Sequence, residues 1–156
     1  MKNWILYEDN HLIIINKPPR IPVQGDRTGD TTLLDLTKKY IKMEYNKPGE
    51  VYLGLPHRID RPTSGLIILS KTSKSLSRMT KIFREKKILK KYWAIVQKPI
   101  NPNQGKLIHF LRKNRSLNKS FTSKKEKIGF LKAELDYKLI QKLNNYFLYE
   151  ITLISG

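Results

Sequence analysis

The stretch "LPHRIDRPTSGLIILSKT", Leu55–Thr72, decides how the chain is organised. A Pro-Thr-Ser-Gly turn leads directly into the apolar run Gly65–Ser70, which is typical of a buried strand. One carboxylate, Asp60, precedes the turn between Arg58 and Arg61. The two guanidinium groups favour an ionised carboxylate, which suits a nucleophile or an electrostatic stabiliser better than a general acid. The alternative is that Asp60 caps the turn and pairs with an arginine to hold a loop.

The amino-terminal side of this stretch predicts a hairpin and a helix. The apolar runs Trp4–Tyr7 and Leu12–Asn16 flank "EDNH" and read as two strands packed against the core. Three prolines make "KPPRIPVQGD", residues 17–26, a loop. The helix predicted over residues 32–42 begins with a threonine followed three residues later by Asp35, a capping box with aspartate in place of glutamate.

The carboxyl-terminal side predicts a second helix followed by several strands. Apolar residues at helical spacing mark a basic-faced helix from Ser73 to about Lys86. The pattern then predicts, in order, a strand over Lys90–Gln97, a turn region over Pro99–Gly105, a strand over Leu107–Leu111, a mobile basic loop over Arg112–Lys127, and strands over Ala133–Leu139 and Tyr146–Ile154. No internal repeat or linker interrupts these elements, so we expect one domain.

Composition indicates a soluble globular protein and excludes several kinds of site. The 156 residues are 39% apolar and 28% charged, and no run is apolar and long enough for a signal peptide or a membrane span. We therefore expect a cytoplasmic protein. The absence of cysteine excludes disulfides, thiolate metal sites and cysteine nucleophiles, and the three histidines lack metal-ligand spacing, so we expect no metal.

The formal charge of +18 is concentrated in one part of the chain. Residues 71–127 contain 18 basic and 2 acidic residues, whereas the flanking parts are close to neutral. Compositional drift toward lysine in an AT-rich genome is the alternative, but drift alone does not clear acidic residues from one segment only. The distribution favours a surface that binds nucleic acid.

The segment His57–Leu66 resembles the signature of the RluA-type pseudouridine synthases, in which a histidine-arginine-hydrophobic-aspartate run leads into arginine-x-threonine-serine-glycine and an apolar strand. Three further stretches are similar to family features in the family's order: "ILYEDNHLIIINKPPRIPV" to its opening hairpin and lysine-proline loop, "KKYWAIV" to its lysine-x-tyrosine strand, and "YEITLISG" to the approach to a later arginine motif. The resemblance covers essentially the whole chain. It implies an α+β fold with a mixed, mostly antiparallel sheet and flanking helices.

The resemblance also implies a reaction, the isomerisation of uridine to pseudouridine within ribosomal or transfer RNA, without a cofactor. Asp60 would be the catalytic carboxylate, either as nucleophile or as the group that initiates bond breakage. The target nucleotide would flip out of its stack to reach a buried carboxylate, with Arg58 filling the vacated position. Tyr92 would pack against the target base, although an ordinary strand tyrosine is the alternative. Supporting residues would be His57, Arg61 and Lys90.

Phosphate binding is expected from the basic segment. The resemblance and the charge distribution together predict an RNA-binding face formed by Lys71, Lys74, Arg78, Lys81, Lys86 and Lys87. RNA is the only partner expected, with no membrane, and the chain is expected to be a monomer.

Two departures from the family pattern change these expectations. The pair Pro19-Arg20 stands where the family loop has a small residue followed by glycine. The chain stops at Gly156, before the family arginine that pairs with the catalytic carboxylate, and Arg61 would partly replace that charge. We therefore expect one catalytic domain over residues 1–156, incomplete at its carboxyl-terminal end, with no separate amino-terminal RNA-binding domain. The strand Tyr146–Ile154 would be left as an unpaired edge or with its apolar face uncovered.

Two other functions stay open. A truncated, inactive synthase would retain RNA affinity through its basic segment. A hydrolase acting on nucleosides or sugars would be expected to carry a second carboxylate near the first, and Asp60 has none within nine residues on either side.

Overall fold

The chain folds as two units, Met1–Ile88 and Leu89–Gly156. The computed structural model describes residues 1–25, 27–114, 116–117 and 119–155. Within that described part, no helix is long and apolar enough to cross a membrane. The single catalytic domain stays a prediction.

A three-stranded antiparallel sheet forms the centre of the first unit. Its strands are β1 (Ile5–Glu8), β2 (Leu12–Lys17) and β3 (Gly65–Ser70), in the spatial order β1-β2-β3. The predicted hairpin and buried strand are thereby confirmed. Ile13 pairs with Leu69 and Ile15 with Ile67, and all four side chains are fully buried in one core cluster.

Two helices complete the first unit close to where the periodicity predicts them. Helix α1 (Leu33–Glu44) begins at the predicted capping box, in which Asp35 Oδ2 accepts from the Thr32 N–H at 3.0 Å. The hydrogen bonds that Asp35 Oδ2 accepts from the Thr32 hydroxyl, at 2.7 Å, and from the Thr32 N–H lower the pKa of Asp35. Helix α2 (Ser73–Arg84) begins with a second capping box and ends two residues before the predicted Lys86.

The second unit is a five-stranded antiparallel sheet in the order β4-β8-β7-β5-β6. Its strands are β4 (Lys91–Val96), β5 (Gln104–Asn114), β6 (Lys119–Ser123), β7 (Leu131–Lys142) and β8 (Phe147–Leu153). The buried rings of Tyr137 and Tyr149 meet edge to face, 6.0 Å between centroids, on adjacent strands at its centre. The α+β class with mostly antiparallel sheets is confirmed.

Two predictions for the second unit are wrong. Much of the segment predicted as a mobile loop, residues 112–127, belongs to the β5–β6 hairpin, although Arg115 and Asn118 lie outside the described residues. Among the strand residues described within 112–127 only Phe121 is apolar, so this segment lacks the alternation that marks a half-buried strand. The last strand is also not an unpaired edge, because β8 is hydrogen-bonded to β4 on one side and to β7 on the other.

Candidate active site

The segment that carries Asp60 runs along the outer edge of β3. The Gly54 and Ser70 backbones form an isolated antiparallel bridge, with N···O distances of 2.8 and 2.9 Å. A side chain at Gly54 would collide with Leu76 of α2, whose Cδ2 atom lies 2.7 Å from the position of an added Cβ. Glycine at this position therefore lets the segment pass between β3 and α2.

His57 fixes the next part of the segment to both neighbours. Its Nε2 atom accepts a hydrogen bond from the backbone N–H of Ile68 on β3 at 2.9 Å. Its ring stacks on Phe83 of α2, with 4.5 Å between centroids and an interplanar angle of 24°. Nε2 therefore accepts a hydrogen bond here, and the supporting role of His57 in catalysis stays a prediction.

Partly buried and exposed side chains alternate over residues 57–60, so the chemically active side chains face solvent. His57 and Ile59 are partly buried, and Ile59 packs against the core cluster. Arg58 and Asp60 are exposed, which corrects the expectation of a buried carboxylate. His57 and Ile59 thus hold the backbone in place, while the side chains of Arg58 and Asp60 remain accessible to solvent.

Asp60 differs from most acidic residues of this basic chain because its charge is not neutralised by a neighbour. Most of the acidic residues described take part in ion pairs or hydrogen bonds, such as Asp30 with Arg61 and Glu8 with Lys71. Within the described part of the chain, only Glu50, Asp60 and Glu126 have side chains with no such contact. The Asp60 carboxylate is therefore available to react or to bind.

The Arg61 guanidinium contacts three residues of the loop after β2. Its Nη2 pairs with Asp30 at 2.6 Å, its Nη1 donates to Thr28 Oγ1 at 3.2 Å, and its Nε donates to the carbonyl of Arg20 at 3.0 Å. These contacts bind the Asp60 segment to the loop after β2. Among the described residues these contacts do not include the Asp60 carboxylate, and compensation by Arg61 for the family arginine stays a prediction.

Lys17 is a supporting residue that the sequence predictions did not single out. Its side chain is fully buried, and Nζ donates to the carbonyls of Pro18, Ile21 and Arg61 at 3.0, 2.9 and 3.2 Å. Burial lowers the pKa of this ammonium group. The signal was present in the sequence, because Lys17 continues the inward-facing alternation of Ile13 and Ile15.

Helix α2 presents a cationic face opposite its packed face. Leu76, Met79 and Phe83 are partly buried, as their spacing predicts. The exposed side chains at i, i+4 and i+7 are Lys74, Arg78 and Lys81. This surface, which we call the α2 basic face, continues beyond the helix with Lys86 and Lys87, both exposed.

Ion pairing separates these cations into two groups. Within the described residues, the side chains of Lys74, Arg78 and Lys86 make no ion pair. Lys81 and Lys87 both pair with Glu85, at 3.8 and 2.7 Å. Lys71 does not belong to the α2 basic face. Its side chain is 12% exposed, pairs with Glu8 at 2.6 Å and lies over the Tyr45 ring, so we remove it from the expected RNA-binding set.

The remaining predicted residues belong to the second unit. Tyr92 lies on β4 opposite Ile151 of β8 and is partly buried, while its neighbour Trp93 is 76% exposed. The Lys90 carbonyl accepts from the Leu153 N–H at 3.1 Å, which extends the β4–β8 pairing by one residue. Contact of Tyr92 with a target base and the supporting role of Lys90 stay predictions.

Comparison with known proteins assigns this arrangement to a family. A sequence profile described as RNA pseudouridylate synthase matches residues 11–156. A protein of Rickettsia felis named ribosomal large subunit pseudouridine synthase C is 34% identical over 156 residues, which cover 99% of this chain and 48% of that protein. A protein of the same name from Buchnera aphidicola (Schizaphis graminum) is 46% identical over 94 residues, 60% of this chain and 28% of that protein.

A solved structure supports the fold. The human RNA pseudouridylate synthase domain containing 4 superposes with a TM-score of 0.82 at 24% identity, covering 99% of this chain and 60% of that one. The chain spans about half the length of the curated Rickettsia relatives it matches. The profile match over most of the sequence, the anchored histidine-arginine-isoleucine-aspartate segment and the common fold agree, and the chain belongs to the RNA pseudouridylate synthase family.

Proposed function

We propose that the chain isomerises uridine to pseudouridine in RNA, with Asp60 as the catalytic carboxylate. The observation that carries this proposal is the state of Asp60: an exposed carboxylate without an ion pair or hydrogen bond in the described structure, on a segment anchored by His57 and by Arg61. A carboxylate that only braced a loop would be expected to contact that loop. The Asp30 carboxylate accepts from Thr28 in its own loop, and the Asp35 carboxylate accepts from the Thr32 N–H at the start of α1.

The reaction requires one bond to be exchanged for another. The glycosidic bond between C1′ and N1 breaks, C5 of the same base bonds to C1′, and the proton on C5 is lost while N1 gains one. Asp60 is suited to attack as a nucleophile or to initiate bond breakage, and both roles stay open. Because the base stays bound and no redox change occurs, we expect no cofactor or metal.

RNA binding in this proposal rests on cations close to the anchored segment in the sequence. Arg58 is exposed, and its guanidinium makes no ion pair among the described residues, so it is free to stack in the position vacated by a flipped nucleotide. The α2 basic face would bind phosphates, with affinity falling as salt rises. The names of the Rickettsia and Buchnera relatives favour ribosomal RNA as the substrate over transfer RNA. We further propose a cytoplasmic monomer.

The direct test is release of tritium from RNA labelled at uridine C5, because only exchange at C5 frees that label. We expect the chain to release tritium from unmodified ribosomal RNA. Asp60→Asn should reduce release by at least roughly 100-fold, the scale of losing a positioned carboxylate, while RNA affinity stays within about twofold. Glu50→Gln is the matched control, since it removes another unpaired, exposed carboxylate and should leave release unchanged.

The second candidate is an inactive synthase that binds RNA, and it is favoured by one observation, the α2 basic face, whose exposed cations can bind phosphates whether or not Asp60 reacts. Salt-dependent RNA binding with no tritium release from a folded chain would support that candidate and contradict catalysis. Equal loss of RNA binding in Asp60→Asn would instead mean that Asp60 is structural.

A further inference from the structure

Arg20 has an unusual backbone conformation for an arginine. Three residues other than glycine have positive φ in the described structure: Arg20 at 72°, Asn46 at 47° and Lys86 at 55°. The last two follow the ends of α1 and α2 and make the hydrogen bonds of helix termination, with the residues after them bonding back to Lys42 and Ile82. Arg20 lies in a loop, where a helix end does not impose this conformation.

The loop uses only the backbone of Arg20. Its N–H donates to the Arg61 carbonyl at 2.8 Å, and its own carbonyl accepts from Arg61 Nε at 3.0 Å. Glycine would make both hydrogen bonds without the steric penalty that a Cβ atom brings at this φ. The fold therefore gains nothing from the arginine side chain through these contacts.

The side chain is exposed and makes no hydrogen bond or ion pair with any residue that the structure describes. Arg61 is the opposite case, because its guanidinium contacts Thr28, Asp30 and the Arg20 carbonyl. Arg20 thus places an uncommitted guanidinium on a backbone that is hydrogen-bonded to the residue directly after Asp60. A strained conformation at such a place points to a function of the side chain.

We propose that the Arg20 side chain binds an RNA phosphate beside Asp60. The loop after β2 would then contribute a contact to the sugar-phosphate backbone of the RNA. The inference rests on the proposed function, since it takes RNA as the ligand. A guanidinium suits this role because it can bind two phosphate oxygens at once and stays charged. The contact would be independent of base identity and would help to hold the nucleotides flanking the target.

Two properties should change in opposite directions when the arginine is replaced. Arg20→Gly should raise Tm by about 3 °C, because the strain is relieved. The same variant should weaken binding to ribosomal RNA by roughly 3- to 10-fold and reduce the slope of log affinity against log salt by about 1. Arg20→Asn, which tolerates positive φ, should lose RNA affinity equally, and Arg20→Lys should retain most of it.

Asn46→Gly is the matched control, because it makes the same backbone change at another positive φ without removing a charge, and it should leave RNA affinity unchanged. Unchanged affinity and salt slope in Arg20→Gly, with the unaltered chain still binding RNA, would overturn the role of Arg20. The proposed function would not be affected by that result. A lower Tm in Arg20→Gly would also overturn it, by showing that the side chain serves the fold. Absence of salt-dependent RNA binding by the unaltered chain would overturn the proposed function together with this inference.

Discussion

His57 accepts a hydrogen bond from the backbone of Ile68, so a side chain of the Asp60 segment takes the place of a neighbouring strand at the edge of β3. The Gly54–Ser70 bridge satisfies the same edge two residues further along. The segment is therefore held by an imidazole at one point and by backbone at another. The position of Asp60 depends on both anchors.

Replacing His57 tests the first anchor. His57→Phe should keep the stacking on Phe83 but leave the Ile68 N–H without its acceptor, which should lower the free energy of unfolding by about 1–3 kcal/mol. Urea denaturation measures that loss, and tritium release should fall more than RNA affinity. Phe83→Leu is the control that removes the stacked ring and keeps the hydrogen bond. A larger loss of tritium release in Phe83→Leu than in His57→Phe would contradict the importance of the hydrogen bond.

Replacing Gly54 tests the close approach of α2. Gly54→Ala should lower the free energy of unfolding by about 1–3 kcal/mol, because the new methyl group would overlap Leu76. Gly49→Ala is the matched control, since an added Cβ there meets nothing within 4 Å, and its stability should change little. Adding Leu76→Ala to Gly54→Ala should make the glycine substitution less costly than it is in the unaltered chain. Equal costs in the two backgrounds would exclude Leu76 as the source of the clash.

We expect Lys17 to affect catalysis only by holding in place the backbone that carries Asp60. Lys17→Met fills a similar volume but removes three hydrogen bonds to carbonyl oxygens, one of them on Arg61, and should cost about 1–3 kcal/mol of stability. Tritium release should fall several-fold at temperatures where the variant is still folded. Lys38→Met, on α1, is the control for loss of a lysine charge and should leave both quantities nearly unchanged. Full tritium release by a folded Lys17→Met chain would show that the three hydrogen bonds of Lys17 do not position Asp60.

The α2 basic face should account for much of the salt dependence of RNA binding. Replacing Lys74 and Arg78 by glutamine should weaken binding to all RNAs alike and reduce the salt slope by about 2, because each of the two cations would otherwise neutralise one phosphate. Lys39 and Lys42 are also exposed cations on a helix, and the same replacement there should leave the slope unaltered. Filter binding over a range of salt concentrations distinguishes the two pairs. Equal slopes for the Lys74/Arg78 variant and the unaltered chain would place the RNA elsewhere.

Stability at high pH should depend on Tyr40. Burial, together with the nearby Glu8 carboxylate, raises the pKa of Tyr40 to about 12. Because the folded-state pKa lies above that of the unfolded chain, this contribution to stability is complete below pH 10 and is lost as pH rises from about 10 to about 12. Tyr40→Phe should therefore lose less stability than the unaltered chain over that interval. Parallel pH curves from urea denaturation would contradict this assignment.

The parts of the fold that local sequence patterns could predict are those whose signal is contained in a few neighbouring residues. Capping by Thr32 and Asp35, the helical spacing of Leu76 and Phe83, and the apolar run of β3 all belong to this class. The β5–β6 hairpin does not, because its strands are defined by hydrogen bonds to each other and to β7. Strand order, which places β8 between β4 and β7, is likewise not encoded in any short stretch.

The same distinction applies to the candidate site. Asp60 and Arg58 stand out in the sequence because their motif is contiguous. The tasks of Lys17 and Arg61 depend on atoms far along the chain: the Lys17 ammonium reaches the Arg61 carbonyl, 44 residues away, and the Arg61 guanidinium reaches Thr28. Lys71 was predicted to bind RNA because it lies in a basic segment, but that position gave no sign of its ion pair with Glu8. Charge can be counted in a sequence, but the partner of a charge is known only from the fold.

The inner position of β8 also has a consequence for the order of events during synthesis. In the described structure β4 has no hydrogen-bonded neighbour except β8, and about 50 residues separate the end of one strand from the start of the other. At common translation rates, β4 would wait roughly 3 to 10 seconds for its partner. Throughout that time its unpaired backbone and the side chains of Tyr92, Ala94 and Val96, which are partly buried in the completed sheet, would be open to wrong partners. A nascent chain arrested before β8 should therefore bind chaperones through β4, and release should follow once residues 147–153 are free to pair.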